Sequence, residues 1–200
     1  MKFWMALFLL ILAGCSNTRN VEVFHYKGQK LDGPTAFQEN SIKGPQHIDI
    51  SKYKLEVFGL IEQPRNYTYS EIKALPSLEK VVTLHCVEGW DATVLWRGAY
   101  VADIIGKTKS GANTVIFYAV DGYSTSLPLE YITKRNIILA YEMNNATLLP
   151  ERGFPFQLVS EDKWGYKWIK WVTKIEVSNN ASYTGYWESR GYSNSGDLSK

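Results

Sequence analysis

The chain has 200 residues, 45% of them hydrophobic and 14% aromatic, which is enough to build the core of one domain without disulfide bonds. Lysine and arginine number 22 and aspartate and glutamate 20, so the formal net charge is only +2, and the positive residues are scattered. Nucleic-acid-binding domains concentrate positive charge in a patch, so DNA and RNA are not expected partners.

Residues 1–15 predict an export signal. A short basic start precedes an apolar stretch that is shorter than the roughly 20 residues needed to cross a bilayer. The stretch ends in Leu-Ala-Gly-Cys, which resembles a bacterial lipobox in which Cys15 becomes the lipid-bearing first residue of the mature chain. We therefore expect a lipoprotein of the bacterial cell envelope that is anchored to a membrane and faces the periplasm or the exterior.

The next part of the chain, residues 16–46, is predicted to be a tether followed by an irregular lead-in to the fold, because glycine and proline recur there. Beyond it, apolar residues at alternate positions predict half-buried strands. Short β-branched or apolar runs between polar residues predict buried strands. The alternating segments are 53–61 and 169–177, and the short runs are 80–87, 113–120 and 136–141.

Turns and short helices connect these strands. Ser70 is the predicted N-cap of a helix that Pro76 stops, and one or two helical turns are expected over 100–105. Asn144 and Asn145 predict a turn, since asparagine tolerates positive φ. The tail from residue 183 onwards, rich in Ser, Asn, Gly and Tyr, is predicted to be a surface strap or a frayed end.

Cys86 is the only cysteine beyond residues 1–15, and it lies where a predicted strand opens into the loop 88–91. An inert buried thiol, a nucleophile and a metal ligand are all open interpretations. His85 is adjacent, but neighbouring strand side chains point to opposite faces, so it is a poor candidate for a catalytic base. His25 and His47 lie in no recognisable catalytic context.

Metal binding by this thiol would need partners from outside the protein. A zinc site requires several Cys or His ligands at short spacing, which one cysteine and three dispersed histidines do not provide. A soft transition metal with one protein thiolate, whose other ligands come from an organic cofactor, is compatible with these residues.

Five motifs, in order, resemble the sulfite oxidase-like molybdopterin-binding family, in particular the branch of the periplasmic methionine sulfoxide reductase catalytic subunit. They are LEVFGLIEQPRNYTYSEIKALP, LHCVEGWD with the following LWRG, DGYSTSLPLE, LLPERGFPFQLV and WGYKWIKWVTKIEV. The resemblance covers residues 38–187. It implies an α+β fold, mostly β, with mixed sheets and short helices, in a domain over 47–187 that a flexible tail over 188–200 follows.

The resemblance also implies a molybdenum-molybdopterin cofactor with one pterin dithiolene per metal, tungsten being the alternative metal. Cys86 is implied as the metal ligand and, with Tyr123, as a catalytic residue, since a phenol hydroxyl can donate to a bound oxygen. The implied cofactor-binding residues are Asn40, His85, Cys86, Arg152, Gln157, Lys167, Trp168, Ile169 and Lys170. Alternative interpretations are outward-facing strand lysines at 167 and 170, and core packing for His85 and Tyr123.

One departure concerns the cofactor phosphate. Relatives usually carry asparagine or histidine and then arginine before the last motif, where this chain has Arg152 and Gln157. The second arginine is therefore missing, and Arg152 is expected to compensate for it.

The implied reaction is oxygen-atom transfer, and we expect reduction of a sulfoxide or similar small oxo compound with electrons from a membrane partner. Sulfite-type oxidation on the same cofactor is one alternative, although the arginine-rich sulfite pocket is not evident. A membrane-anchored binding module that keeps the fold but has no cofactor is the other.

Overall fold

The computed structural model describes residues 22–198, so the predicted leader and Cys15 lie outside the described residues. Its strands are β1 (His25–Tyr26), β2 (Gln29–Lys30), β3 (Leu55–Gly59), β4 (Arg65–Tyr67), β5 (Ser77–His85), β6 (Asp91–Tyr100), β7 (Thr114–Ala119), β8 (Ser124–Pro128), β9 (Ile138–Met143), β10 (Ala146–Thr147), β11 (Gln157–Val159) and β12 (Val172–Ser178). The helices are α1 (Tyr69–Lys73), α2 (Val101–Ile105) and α3 (Leu129–Lys134). Single 3₁₀ turns occur at Pro34–Ala36, Pro150–Arg152, Gly165–Lys167 and Glu188–Arg190.

Two five-stranded sheets form the body of the protein. The first has the order β4-β3-β12-β7-β8, with β12 parallel to β3 and antiparallel to β7. The second has the order β10-β9-β6-β5, and β11 pairs with β9 as well. In the second sheet β5 and β6 form a long hairpin whose pairing ends at His85 and Asp91.

The hydrophobic core has two parts. The larger one contains buried side chains from both sheets, such as Val57, Phe117, Ile175 and Leu139. The smaller one gathers Val94 and other side chains of the second sheet with Phe37, Trp168 and Cys86. The second sheet is therefore covered on both faces, and the cysteine belongs to its smaller, outer layer.

Several predicted elements are confirmed. Strands occupy the predicted runs at β3, β5, β7 and β9. Helix α2 forms where helical turns were expected. Asn144 and Asn145 have φ of 50° and 65°, as a turn of this kind requires. The mixed sheets with short helices confirm the expected fold class.

Three predictions are corrected by the structure. The last long strand begins at Val172 rather than at residue 169, because Trp171 has a φ of 53° that no strand accommodates. The N-cap of α1 is Thr68, not Ser70: its side chain accepts from the Glu71 amide, and the Glu71 carboxylate accepts from the Thr68 amide. Strand β6 begins inside the loop predicted over 88–91.

The tail packs against the domain in the manner of a strap. The amide of Tyr186 donates to the Ser124 carbonyl at 2.9 Å, and the amide of Trp164 donates to the Gly196 carbonyl at 2.8 Å. None of the helices between residues 22 and 198 has the length and apolar character needed to cross a membrane. The division at residues 46 and 187 stays a prediction.

Candidate active site

Cys86 follows the last residue of β5 and begins a tight loop that leads into β6. Its amide donates to the Trp90 carbonyl at 2.9 Å, and its carbonyl accepts from the Gly89 amide at 3.1 Å. Gly89 has a φ of 88°, which favours glycine at this point of the turn. The thiol is 5% exposed and lines a cleft with about 960 Å³ of space between its walls, part of it open to solvent.

Two polar side chains lie against the thiol. Asn40 Nδ2 is 3.5 Å from Cys86 Sγ, and Glu88 Oε2 is 3.8 Å from it. Burial, and then the negative charge of Glu88, raise the pKa of the Cys86 thiol, although hydrogen bonds from the Glu88 amide and Asn40 act in the opposite direction. The thiol therefore holds its proton at neutral pH, and a metal ion that binds the sulfur must displace that proton.

The structure does not support the nucleophile interpretation. Among residues 22–198, no histidine lines the cleft. His85 lies beside Asp91 instead, with 3.6 Å between its Nδ1 and the Asp91 Oδ2. The thiol thus has no imidazole to take its proton.

The cleft also holds two cations. The Arg152 guanidinium, 7% exposed, lies 4.6 Å from the centre of the Phe37 ring. The Lys170 ammonium is 3.0 Å from Glu39 Oε1. Burial lowers the pKa of both cations, while the Glu39 carboxylate raises it. Both are positioned to bind an anionic group that enters the cleft.

Gly153 brings the segments carrying these cations together. Its φ is 91°, and a Cβ at this position would meet Gln157 Cβ and Lys170 Cβ at 3.1 Å each. Gln157, the residue at the departure from the family pattern, is buried and lines the cleft. The expected compensation by Arg152 is thus geometrically available, since both residues border the same space.

Eight of the predicted site residues are brought together in the lining of this cleft. They are Asn40, Cys86, Tyr123, Arg152, Gln157, Trp168, Ile169 and Lys170. The other two, His85 and Lys167, are not in the lining. Lys167 is fully buried, with its Nζ 2.6 Å from Glu188 Oε1. Neither Lys167 nor Lys170 is an outward-facing strand residue, because both precede the first residue of β12, Val172.

Tyr123 does not present a free hydroxyl to the cleft. Its OH donates to the Tyr166 carbonyl at 2.6 Å. Burial, reinforced by the charge of Glu188, raises the pKa of the phenol, so it stays protonated at any physiological pH. A catalytic role for this hydroxyl stays a prediction that requires the bond to Tyr166 to open.

Sequence reasoning missed several residues of the lining, among them Phe37, Asp121, Trp187 and Tyr192. The last two belong to the C-terminal tail. A signal was present in the sequence, because the otherwise polar stretch 183–192 carries four aromatic residues. Aromatic residues at such density in a polar segment indicate packing against the domain.

The donor set fits a metal whose other ligands come from an organic, anionic cofactor. Within the described part of the chain no cluster of three or more His, Cys, Asp or Glu side chains could hold a metal by itself. Cys86 offers one soft ligand, while Arg152 and Lys170 offer positive charge in the same cleft. The Ser41 hydroxyl lines this cleft as well, and its oxygen is buried without a hydrogen-bond partner in the protein. Such an atom is suited to a polar ligand.

The chain matches one protein family and is similar to several known proteins. The profile of the oxidoreductase molybdopterin binding domain matches residues 42–187. The uncharacterized oxidoreductase YuiH of Bacillus subtilis is 35% identical over 156 residues, which cover 76% of this chain and 78% of YuiH. The putative protein-methionine-sulfoxide reductase subunit YedZ1 of Azospira oryzae is 33% identical over 150 residues, which cover 74% of this chain and 56% of that protein.

Other matches are more distant and cover less than half of longer chains. Sulfite oxidase of Arabidopsis thaliana is 29% identical over 166 residues, which cover 64% of this chain and 42% of that enzyme. Among solved structures, the sulfane dehydrogenase SoxCD of Paracoccus pantotrophus superposes with a TM-score of 0.65 at 19% identity, over 68% of this chain and 40% of that one. The latter likeness concerns the fold.

Proposed function

The chain belongs to the oxidoreductase molybdopterin-binding domain family, and on that premise we propose that it reduces a sulfoxide or a similar small oxo compound at a molybdenum centre held by Cys86. The family match confirms the resemblance, the enzyme class and the cofactor expected from the sequence. The cofactor-free binding module is therefore not retained. One observation carries the proposal: the buried Cys86 thiol shares a cleft with Arg152 and Lys170.

The residues that line the cleft would bind different parts of the cofactor. Cys86 would hold the metal, with the Asn40 amide 3.5 Å away to orient its sulfur. Arg152 and Lys170 would hold the cofactor phosphate, for which Lys170 must exchange its present partner, Glu39. When bound, the molybdenum cofactor supplies two-electron oxygen-atom transfer, and the protein supplies position and electrostatics.

Charge in the cleft supports an uncharged substrate. Glu88 lies 3.8 Å from the sulfur that would bind the metal, and Asp121 also lines the cleft. A sulfite anion that approaches the metal would be repelled by the nearby Glu88 carboxylate, whereas a sulfoxide is neutral and meets no such barrier. The name of the YedZ1 relative, a protein-methionine-sulfoxide reductase subunit, supports the same substrate class.

Sulfite oxidation remains the second candidate function, because sulfite oxidase is among the relatives and the Arg152 guanidinium borders the cleft. Anchoring to a bacterial membrane through Cys15 and electron supply by a membrane partner complete the proposal. The anchoring depends on the lipobox motif of the sequence.

A substrate panel tests the proposal. Protein made in a molybdopterin-competent host is assayed with reduced viologen against methionine sulfoxide and other S- and N-oxides, and in the oxidising direction against sulfite. We expect turnover with a sulfoxide or a similar neutral oxo compound. Sulfite oxidation without any reductase activity would favour the second candidate, and protein without molybdenum or tungsten would refute both.

Substitution of Cys86 tests the ligand assignment. Cys86→Ser and Cys86→Ala are expected to abolish turnover but to keep part of the pterin, because the phosphate contacts are made elsewhere in the cleft. Cys15→Ser changes the other cysteine of the chain, whose predicted role is lipid attachment, and should keep its turnover in solution. Wild-type turnover in Cys86→Ala would contradict the assignment.

A further inference from the structure

Among residues 22–198, the most deeply buried ion pair lies just outside the cleft. The Lys167 and Glu188 side chains are both fully buried, with 2.6 Å between Nζ and Oε1. Thr125 Oγ1 donates to the same carboxylate oxygen at 2.6 Å, whereas Glu188 Oε2 is buried without a hydrogen-bond partner. A buried ion pair of this kind is weak evidence for stability, because desolvation offsets most of the attraction. The position of the pair, between two segments of the chain, indicates a role in holding them together.

The pair joins two segments that both line the cleft. Lys167 ends the turn Gly165–Lys167, in which Gly165 and Tyr166 are lining residues. This turn packs closely against the cysteine loop, since a Cβ at Gly165 would lie 3.6 Å from Cys86 Cα. Glu188 begins the turn Glu188–Arg190 in the segment 183–198, here named the C-terminal strap.

Two rings of the strap are lining residues. Trp187 precedes Glu188, and Tyr192 follows its turn. The Tyr192 ring packs 5.2 Å from Trp187 and 5.2 Å from Tyr166. Tyr192 is also 39% exposed, so one side of its ring reaches solvent. The strap thus supplies an aromatic wall at the open side of the cleft.

We propose that Lys167 and Glu188 are positioning residues that fix the C-terminal strap as this wall, and that Trp187 and Tyr192 contact the alkyl part of the substrate. The second half of the proposal rests on the proposed sulfoxide reduction. Aromatic faces bind alkyl groups by apolar contact and exclude water, but give little to an oxyanion. Because the Lys167 ammonium is fully buried and paired with Glu188, we assign it to holding the aromatic wall and not to binding the cofactor phosphate.

Limited proteolysis tests the positioning role without any cofactor chemistry. Trypsin can cut the strap after Arg190, which is exposed, and cleavage after the exposed Lys52 serves as an internal standard in the same digest. Glu188→Gln and Lys167→Met each leave one buried charge unpaired, so cleavage after Arg190 relative to Lys52 should rise by roughly 10-fold or more. Mass spectrometry of the C-terminal fragment measures the rate.

Two further variants keep the result interpretable. Lys167→Met/Glu188→Leu removes both charges, and the rate should return towards the wild-type value, because apolar pairs often replace buried ion pairs without loss. Glu130→Gln is the surface control, since its pair with Lys134 spans 2.5 Å but is more than two-thirds exposed. Wild-type cleavage rates in both single variants would overturn the positioning role.

Kinetics of the loaded enzyme test the substrate contact. Trp187→Ala and Tyr192→Ala should raise KM for an alkyl sulfoxide by roughly 10-fold, equal to about 1.4 kcal/mol, and leave kcat nearly unchanged. Phe24→Ala should behave as wild type, because Phe24 is an exposed aromatic residue that does not line the cleft. Unchanged KM values would overturn the contact while the proteolysis result stands. Wild-type enzyme without reductase activity would instead refute the proposed function.

Discussion

Replacement of Lys170 by methionine should release the pterin cofactor. The Lys170 ammonium lines the cleft, where it now lies 3.0 Å and 3.3 Å from the two Glu39 carboxylate oxygens. A hydrogen bond to a charged group contributes about 1.5–3 kcal/mol, which corresponds to a roughly 10- to 100-fold loss of affinity. The lysine side chain is only 14% exposed, so solvent screening should reduce this loss little.

The assay is the ratio of molybdenum and pterin to protein after purification and dialysis. Lys174→Met is the matched control, because Lys174 lies nearby in β12, is 53% exposed and pairs with Glu56 at 2.9 Å. Equal pterin content in Lys170→Met and Lys174→Met would refute the reasoning. Glu39→Gln removes a competing carboxylate and should raise retention; a fall would show that Glu39 orients the lysine instead.

Three other predictions concern the rest of the chain. Burial acts to raise the pKa of Glu39, but hydrogen bonds from Ser41 and the charge of Lys170 outweigh it and lower the pKa below 4.5. Any stability that wild type gains over Glu39→Gln should therefore be complete above pH 4.5 and should disappear as the pH falls through the lowered pKa. Urea unfolding from about pH 2 to pH 7 measures this difference, and a gain that persists at the lowest pH contradicts it. Gly98→Ala would place a Cβ 2.3 Å from the Leu139 carbonyl oxygen and should destabilise the fold by about 1–3 kcal/mol in the same assay. An unchanged unfolding midpoint would contradict this, because it would mean that β6 and β9 move apart at this point without cost. Cys15→Ser should move the protein out of the membrane fraction, and wild-type protein that is soluble and cleaved elsewhere would contradict lipid anchoring.

The alternation of apolar and polar residues predicted those strands that bury one face against the core and expose the other. In β3 the buried positions Leu55 and Val57 alternate with more exposed ones, so periodicity alone placed the strand. Strand β6 has this alternation only at its start, where Ala92 and Val94 are buried and Thr93 is not, since Leu95 and Trp96 are both buried. The prediction missed it because Gly89 and Asp91 favour a loop, and β6 starts at the second of these residues.

The start of β12 could not be predicted in this way. Trp171 carries a positive φ, which its own residue type disfavours, and its indole nitrogen donates to the Pro150 carbonyl at 2.8 Å. The partner is 21 residues away, so the constraint comes from tertiary structure. No pattern within the window 169–177 records it.

The candidate site shows the same division between local and distant information. Cys86 was placed by local features, namely a strand that ends in a Glu-Gly turn; the strand is half-buried rather than buried as predicted, with Leu84 its one buried residue. Lys167 and Lys170 are only three residues apart in one motif, and the motif gives both the same predicted role. Their difference is set by partners far along the chain, Glu188 for the first and Glu39 for the second. Single-sequence reasoning has no access to such pairs.

These two ion pairs differ in a way that matches different tasks. The Glu188–Lys167 pair has no exposed side-chain surface, so neither salt nor an incoming anion can compete for it without opening the strap. The Glu39–Lys170 pair is partly exposed, with 27% and 14% of the two side chains accessible, and it borders the cleft. A phosphate can therefore replace the Glu39 carboxylate at Lys170, while the wall that Lys167 holds stays in place. One lysine of the motif is thus suited to binding the cofactor and the other to shaping the space beside it.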